Sequence, residues 1–183
     1  MKKLIVSAIV ILGFSAISFG QNSDFKTAIA SGTIITPLHM GSVTNMQFGN
    51  IVANAAGNVV LASDGSTPVH YDAGVPAYIV NNGNPTHAIF DVSGQGGYAF
   101  NVTLSNLPTV VTHKTDATTT MSISDFTSNV TGTTLTGTAN LSGSATGQSG
   151  TYQVFVGATL HVGTGQKAGL YESTPFQVAV NYN

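Results

Sequence analysis

The chain has 183 residues, of which five are Lys, none is Arg, seven are acidic and none is Cys. Its charged fraction of 7% is far below the roughly 25% of an ordinary soluble domain. This charge balance excludes the basic surface that nucleic-acid binding requires, and the lack of Cys excludes thiol catalysis, Cys-ligated metals and disulfides. With 42% hydrophobic residues the chain is too apolar for a disordered protein. We therefore expect a folded domain whose surface is kept hydrated by the uncharged polar side chains of Ser, Thr and Asn.

The first 20 residues have the three-part layout of a secretory signal peptide. Two lysines follow the initiator methionine, residues 4–14 are almost entirely apolar, and Ser18 and Gly20 place small residues before a cleavage point at Gln21. The apolar run is too short for a transmembrane helix, which needs about 20 such residues. We therefore expect a cleaved signal peptide over residues 1–20, export from the cytoplasm, and a mature protein without a transmembrane segment.

The mature chain divides into an N-terminal extension with the first strand at residues 21–42 and a β-sandwich domain at residues 43–183. Apolar and polar residues alternate with the period of two that half-buried strands require, and no window carries a helical stripe. Strands are predicted at residues 46–53, 58–63, 77–81, 87–93, 98–104, 118–126, 134–141, 152–162 and 176–182. Clusters of Gly, Asn, Asp and Pro separate them, and the Gly-rich residues 143–150 predict a long hairpin loop. The pattern predicts an all-β, antiparallel β-sandwich.

Candidate residues for catalysis or metal binding are scattered rather than clustered. Five His, no two closer than 17 residues, form no local chelate: His39, His70, His87, His113 and His161. A zinc site needs three or four converging ligands, so we expect no metal and no cofactor. There is no Gly-x-Ser-x-Gly motif, and Glu172 is the only Glu, so no carboxylate pair for glycoside hydrolysis is evident. We therefore expect that the protein is not an enzyme.

The last predicted strand is among the most regular, because Phe176, Val178, Val180 and Tyr182 alternate with polar or small residues. Two interpretations are open. The strand either closes an ordinary sandwich as a core or edge strand, or it is an assembly strand that another chain recognises edge-on. In the second case main-chain hydrogen bonds supply the affinity, and pockets for alternate side chains supply the specificity.

Short motifs follow one another in order through residues 43–183. They are Met46-Gln-Phe48-Gly49-x-Ile51, Gly57-x-Val59-x-Leu61, Phe90-x-Val92-x-Gly94, Tyr98-x-Phe100-x-Val102, Met121-x-Ile123-x-x-Phe126, Val156-Gly157-Ala158-x-Leu160-x-Val162, Gly169-x-Tyr171 and Phe176-x-Val178-x-Val180-Asn181-Tyr182. With this ordered set the chain resembles the bacterial domain-of-unknown-function family 4402, a relative of spore-coat-U and chaperone–usher fimbrial subunits.

The resemblance implies an immunoglobulin-like sandwich that a Gram-negative bacterium exports through the periplasm to the cell surface or beyond. It also implies a structural subunit of a surface fibre or coat. The partners implied are other copies of the chain or related subunits, a periplasmic chaperone and an outer-membrane usher. In such subunits the last strand borders a groove that a missing strand leaves open. By this resemblance the assembly-strand residues are Gly169, Phe176, Val178, Val180 and Tyr182.

In such fibres the N-terminal extension of the next subunit fills the groove. Residues 22–33 are the candidate donor segment here, with Phe25, Thr27 and Ile29 on one face. The alternative function is a monomeric secreted β-sandwich binding module, such as a glycan-binding adhesin, that contains all of its own strands. Trp is absent and the Tyr residues are scattered, so the sequence provides no obvious aromatic platform for a glycan.

Overall fold

The computed structural model describes residues 24–64, 69–71, 78–80, 83–132, 134–143 and 147–183. The chain divides into two compact units, Met1–Thr33 and Ile34–Asn183. In the first unit, the described residues form no strand and all of them are exposed. The predicted signal peptide lies outside the described residues.

The second unit is built from antiparallel strands, and the described residues contain no helix. The strands are β1 (His39–Thr44), β2 (Asn50–Val52), β3 (Gly57–Leu61), β4 (Val69–Tyr71), β5 (Tyr78–Val80), β6 (Ala88–Gln95), β7 (Ala99–Ser105), β8 (Val110–His113), β9 (Asp116–Ser128), β10 (Thr136–Asn140), β11 (Ser149–Val162), β12 (Tyr171–Ser173) and β13 (Gln177–Tyr182). A large sheet has the order β1-β6-β11-β9-β8-β12, with β3 beside β11 and β4 beside β3. A small sheet has the order β10-β7-β13, and β2 pairs with β5.

Strand β11 is the centre of the large sheet because both of its edges are paired. One edge pairs first with β6 and then with β3, while the other edge pairs with β9. Gly157 lies where the partner changes from β6 to β3, and a Cβ at this position would overlap the carbonyl of Leu61 at the end of β3. The close approach of the two backbones therefore requires glycine here.

The core fills the space between the large and small sheets with side chains from alternate strand positions. The large sheet contributes Val92, Val154 and Val156, and the small sheet contributes Phe100 and Val102. All five are at most 1% exposed, and burying such a side chain contributes about 1.5–3 kcal/mol. The predicted all-β, antiparallel sandwich is confirmed.

The predicted strands each overlap a strand of the structure, and β1 overlaps residues 21–42, where the first strand is expected. β4, β8 and β12 have no predicted counterpart. These three strands are only three or four residues long, which leaves little alternation to recognise. The prediction of a hairpin at residues 143–150 is wrong, because β10 and β11 on either side of it belong to different sheets. Glycine content indicates a turn or loop, but it does not indicate which strands pair.

We expect Gly157→Ala to lower the free energy of unfolding by about 1–3 kcal/mol, because the added methyl group forces β3 and β11 apart. The matched control is Gly41→Ala in β1, where the nearest atoms to an added Cβ lie 3.7 Å away, an ordinary van der Waals contact. Urea denaturation of both variants and of the unsubstituted chain measures the difference. Equal stability of the two variants would contradict the close approach at Gly157.

Candidate strand-assembly site

β13 is an edge strand, since β7 is the only strand with which it pairs in the described part of the chain. Next to β13, the N–H of Asn183 donates to the carbonyl of Ala99, the residue directly opposite. Hydrogen-bonded pairs alternate with non-bonded pairs along an antiparallel ladder. The backbone N–H and C=O groups of Val178 and Val180 therefore point away from β7, toward a free edge. We call this free side of Gln177–Tyr182 the β13 edge.

The side chains along the β13 edge complete a surface on which another strand could pair. Phe176, Val178, Val180 and Tyr182 are half-buried and pack against the core. The inward-facing side chains of the neighbouring strand β7 are fully buried. The fold therefore covers the apolar side chains of β7 completely and those of β13 only in part. Free backbone groups beside half-exposed apolar side chains are the two features that an added strand requires.

Phe176 anchors the start of β13 to the large sheet. Its ring centroid lies 6.1 Å from that of Phe90 in β6 and 5.6 Å from that of Phe126 in β9, which are distances typical of aromatic pairs. These two strands flank β11 in the large sheet. The start of the β13 edge is therefore held against the most extensively paired part of the sandwich.

Tyr182 fixes the other end of β13. Its hydroxyl accepts a hydrogen bond from the N–H of Gln95 at 2.6 Å and donates one to the carbonyl of Thr36 at 2.7 Å. A Cβ at Gly94 would lie only 2.5 Å from this hydroxyl, so glycine at that position makes room for the phenol. The Tyr182 ring also packs edge-on against Tyr98, with centroids 6.0 Å apart.

Gly169, the remaining predicted assembly residue, lies in a different part of the sandwich. It precedes β12 at the edge of the large sheet, its φ is +150°, and a Cβ at this position would overlap the ring of His113. The Nε2 atom of that ring lies 3.1 Å from the carbonyl of Ala168. The structure therefore brings the other four predicted residues together along β13 and gives Gly169 a packing role beside His113.

The predicted donor residues Phe25, Thr27 and Ile29 are all exposed in the first unit. Phe25 is 82% exposed and Ile29 is 96% exposed. The described residues of this unit form no strand, so their backbone is not engaged in strand pairing there. Apolar side chains at alternate positions of an unpaired segment are what addition to a sheet edge would bury.

A polar link across three strands joins residues that are far apart in the sequence. His161 in β11 places its Nε2 atom 2.7 Å from the Oγ of Ser124 in β9 and its Nδ1 atom 2.7 Å from the Oδ1 of Asn58 in β3. This spacing resembles a nucleophile, a base and an orienting group. However, the Ser124 hydroxyl also lies 2.8 Å from the carboxylate of Asp125, and that charge would repel an oxyanion. The arrangement therefore suits a cross-strand link better than nucleophilic catalysis.

Four charged residues of the second unit form ion pairs near the β8–β9 turn and β12. Lys167 binds Asp116 at 2.7 Å, and Lys114 pairs with Glu172. Lys114, Asp116 and Glu172 line an open depression of about 540 Å³. Within the described ranges, no group of three or more His, Asp or Glu could hold a metal ion. Because these charges pair with one another, the cluster acts as a set of local ion pairs that stabilises this end of the sheet.

Lys167 and the hydroxyls of Thr118 and Thr119 hold the pKa of Asp116 well below its usual value. A carboxylate whose pKa is lowered by folding adds stability above its unfolded pKa, about 4, and this stability is lost as the pH falls. We expect Asp116→Asn to be less stable than the unsubstituted chain near pH 7, with the gap closing between roughly pH 5 and pH 2. Denaturation curves at several pH values measure this gap, and a gap independent of pH would contradict the assignment.

Comparison with known proteins identifies the family. The family model described as "Domain of unknown function (DUF4402)" matches residues 38–182, which contain all of the strands from β1 to β13. The comparison with curated proteins found no match, and neither did the comparison with solved structures. Among the residues that the structure describes, no helix is long and apolar enough to cross a membrane. The match spans most of the sequence, and the chain therefore belongs to the DUF4402 family.

Proposed function

We propose that the protein is a secreted structural subunit of a bacterial surface fibre or coat, and that its subunits assemble by strand exchange. In this proposal, a segment of one copy pairs with the β13 edge of another copy. The observation that carries the proposal is the β13 edge itself, where free backbone groups run beside half-buried apolar side chains. An exposed edge of this kind is a template for pairing with another chain.

Two other sheet edges carry features that discourage pairing, and the β13 edge lacks them. β1 has a register shift between Met40 and Val43 against β6, and such irregularities interrupt an edge. β12 is only three residues long and carries the Lys114–Glu172 ion pair. β13 has a continuous register over six residues and contains no charged residue and no Pro. This contrast supports the β13 edge as the surface used for assembly.

Residues 22–33 are the proposed donor segment. Phe25 and Ile29 are four residues apart, and so are Phe176 and Val180, so both segments repeat apolar side chains at the spacing of one strand face. A donor strand on the β13 edge would bond the free backbone groups and cover the half-exposed side chains. At about 25 cal/mol per Å², covering about 200 Å² of apolar surface contributes about 5 kcal/mol, before the entropic cost of ordering the donor.

Delivery by a periplasmic chaperone and an outer-membrane usher is compatible with the same edge. A chaperone strand on the β13 edge would prevent subunits from associating before export is complete. Its replacement by the donor segment of the next subunit would then add that subunit to the fibre. The predicted signal peptide supports export, and the absence of Cys means that assembly requires no oxidant.

Deletion of residues 22–33 should leave a subunit that accepts a strand but cannot donate one. We expect the truncated protein to fold, because Ile34–Asn183 is a compact unit, and to form no fibres. A synthetic peptide of residues 22–33 should stabilise it by about 2.7 kcal/mol at a hundredfold excess over the Kd. Thermal denaturation with and without the peptide measures the shift, and a scrambled peptide of the same composition is the control.

The monomeric binding module predicts the opposite results. The full mature chain would stay a soluble monomer, electron microscopy would show no fibres, and the truncated protein would melt at the same temperature with or without millimolar peptide. An equal shift with the scrambled peptide would also contradict strand exchange, because it would show that the β13 edge does not select the donor sequence.

A further inference from the structure

The hydroxyl of Tyr182 joins three parts of the second unit at one point. Tyr182 is the last residue of β13, Gln95 is the last residue of β6, and Thr36 precedes β1. A phenol hydroxyl has one proton to donate. Here the proton is donated to the Thr36 carbonyl, and an oxygen lone pair accepts the Gln95 N–H. We call this arrangement of Tyr182, Gln95 and Thr36 the Tyr182 clasp.

The clasp holds the stem through which the chain enters the second unit, residues 34–38. Besides the bond to Tyr182, the hydrogen bonds of Thr36 to described residues are two longer ones of 3.4 Å, from its N and Oγ1 atoms to the Oε1 of Gln95. Leu38, at the end of the stem, packs against the core. The proposed donor segment, residues 22–33, directly precedes this stem in the sequence.

We propose that the Tyr182 clasp couples strand acceptance to strand donation within one subunit. The inference rests on the strand exchange proposed above. Before a strand docks, β13 is paired on one side only, and an edge strand opens locally more readily than a strand paired on both sides. After docking, β13 is paired on both sides, Tyr182 stays in place, and the carbonyl of Thr36 keeps its partner. The stem of the donor segment is then ordered.

This coupling makes a subunit that has accepted a strand a better donor than a free subunit. A donor segment on an ordered stem loses less conformational entropy when it docks. Coupling between two binding sites is reciprocal, so a subunit whose own donor segment is engaged binds a strand more tightly at its β13 edge. Growth from an existing fibre end is thereby favoured over the pairing of two free subunits.

The test compares Tyr182→Phe with Tyr98→Phe in the full mature chain, at a dilution where the chain is monomeric and its β13 edge is unoccupied. Each substitution removes one phenol oxygen, and the two rings pack against each other. No described residue forms a hydrogen bond with the hydroxyl of Tyr98, and Tyr98 as a whole is 37% exposed. Tyr98→Phe is therefore the matched control. Hydrogen–deuterium exchange over residues 34–38 is measured with and without an excess of the peptide of residues 22–33. The affinity of each protein for the peptide is measured by calorimetry.

We expect the peptide to slow exchange at the stem about two- to tenfold in the unsubstituted chain and in Tyr98→Phe, the range that one hydrogen bond supplies. Tyr182→Phe should still bind the peptide, because its β13 backbone is unchanged, but its stem should gain no protection. Equal protection in all three proteins would overturn the clasp and leave strand exchange standing. Failure of the peptide to bind any of the three would overturn strand exchange, and the clasp with it.

Gly94→Ala is a second variant that disrupts the clasp, and it replaces Tyr182→Phe in the test if that variant does not fold. The added Cβ lies 2.5 Å from the Tyr182 hydroxyl and 2.9 Å from the side chains of Leu38 and Leu141, so it displaces the phenol, and with it the end of the stem, while the hydroxyl is retained. We expect peptide binding without protection of the stem, as for Tyr182→Phe. Full protection of the stem in Gly94→Ala would overturn the clasp.

Discussion

Pairing along both edges of β11 is the interaction on which the rest of the structure depends. The chain has no Cys and few charges, so backbone hydrogen bonds and apolar burial hold the second unit together. Both are concentrated along this 14-residue strand. β6 and β3 are positioned by one edge of β11 and β9 by the other. Phe176 contacts Phe90 and Phe126 on the two flanking strands, so the placement of β13 also depends on the β11 ladders.

β11 and β13 have similar sequences and different surroundings. Both strands carry apolar residues at alternate positions, yet Val154 and Val156 are fully buried while Val178 and Val180 are half-buried. The difference comes from their neighbours, because β11 is paired on both sides and β13 on one. The candidate site is therefore defined by the hydrogen-bonding groups and the apolar surface that the fold leaves uncovered. Its chemistry is that of the backbone, which explains why no cluster of reactive side chains marks it.

Period-two alternation was sufficient to predict β11 and β13, since burial on one face of a strand leaves that pattern in the sequence. It could not predict β8 and β12, which are too short to show it, or the separate sheets of β10 and β11. Gly169 was assigned to the assembly strand by resemblance, whereas its need for glycine comes from the ring of His113. The bond from Tyr182 to Thr36 joins residues 146 positions apart. Such contacts depend on the order of strands in the sheets, and periodicity within one strand does not encode that order.

The pairing of both lysines in the second unit determines how sensitive the proposed assembly would be to salt. Lys114 and Lys167 are the only Lys or Arg in residues 34–183, and each is bound to a carboxylate. The β13 edge contains no charged residue. Dissolved salt screens attraction between exposed charges, whereas apolar burial persists in salt and is strengthened by sulfate and phosphate. Association along the β13 edge, as proposed above, would therefore be less sensitive to salt than association through surface ion pairs.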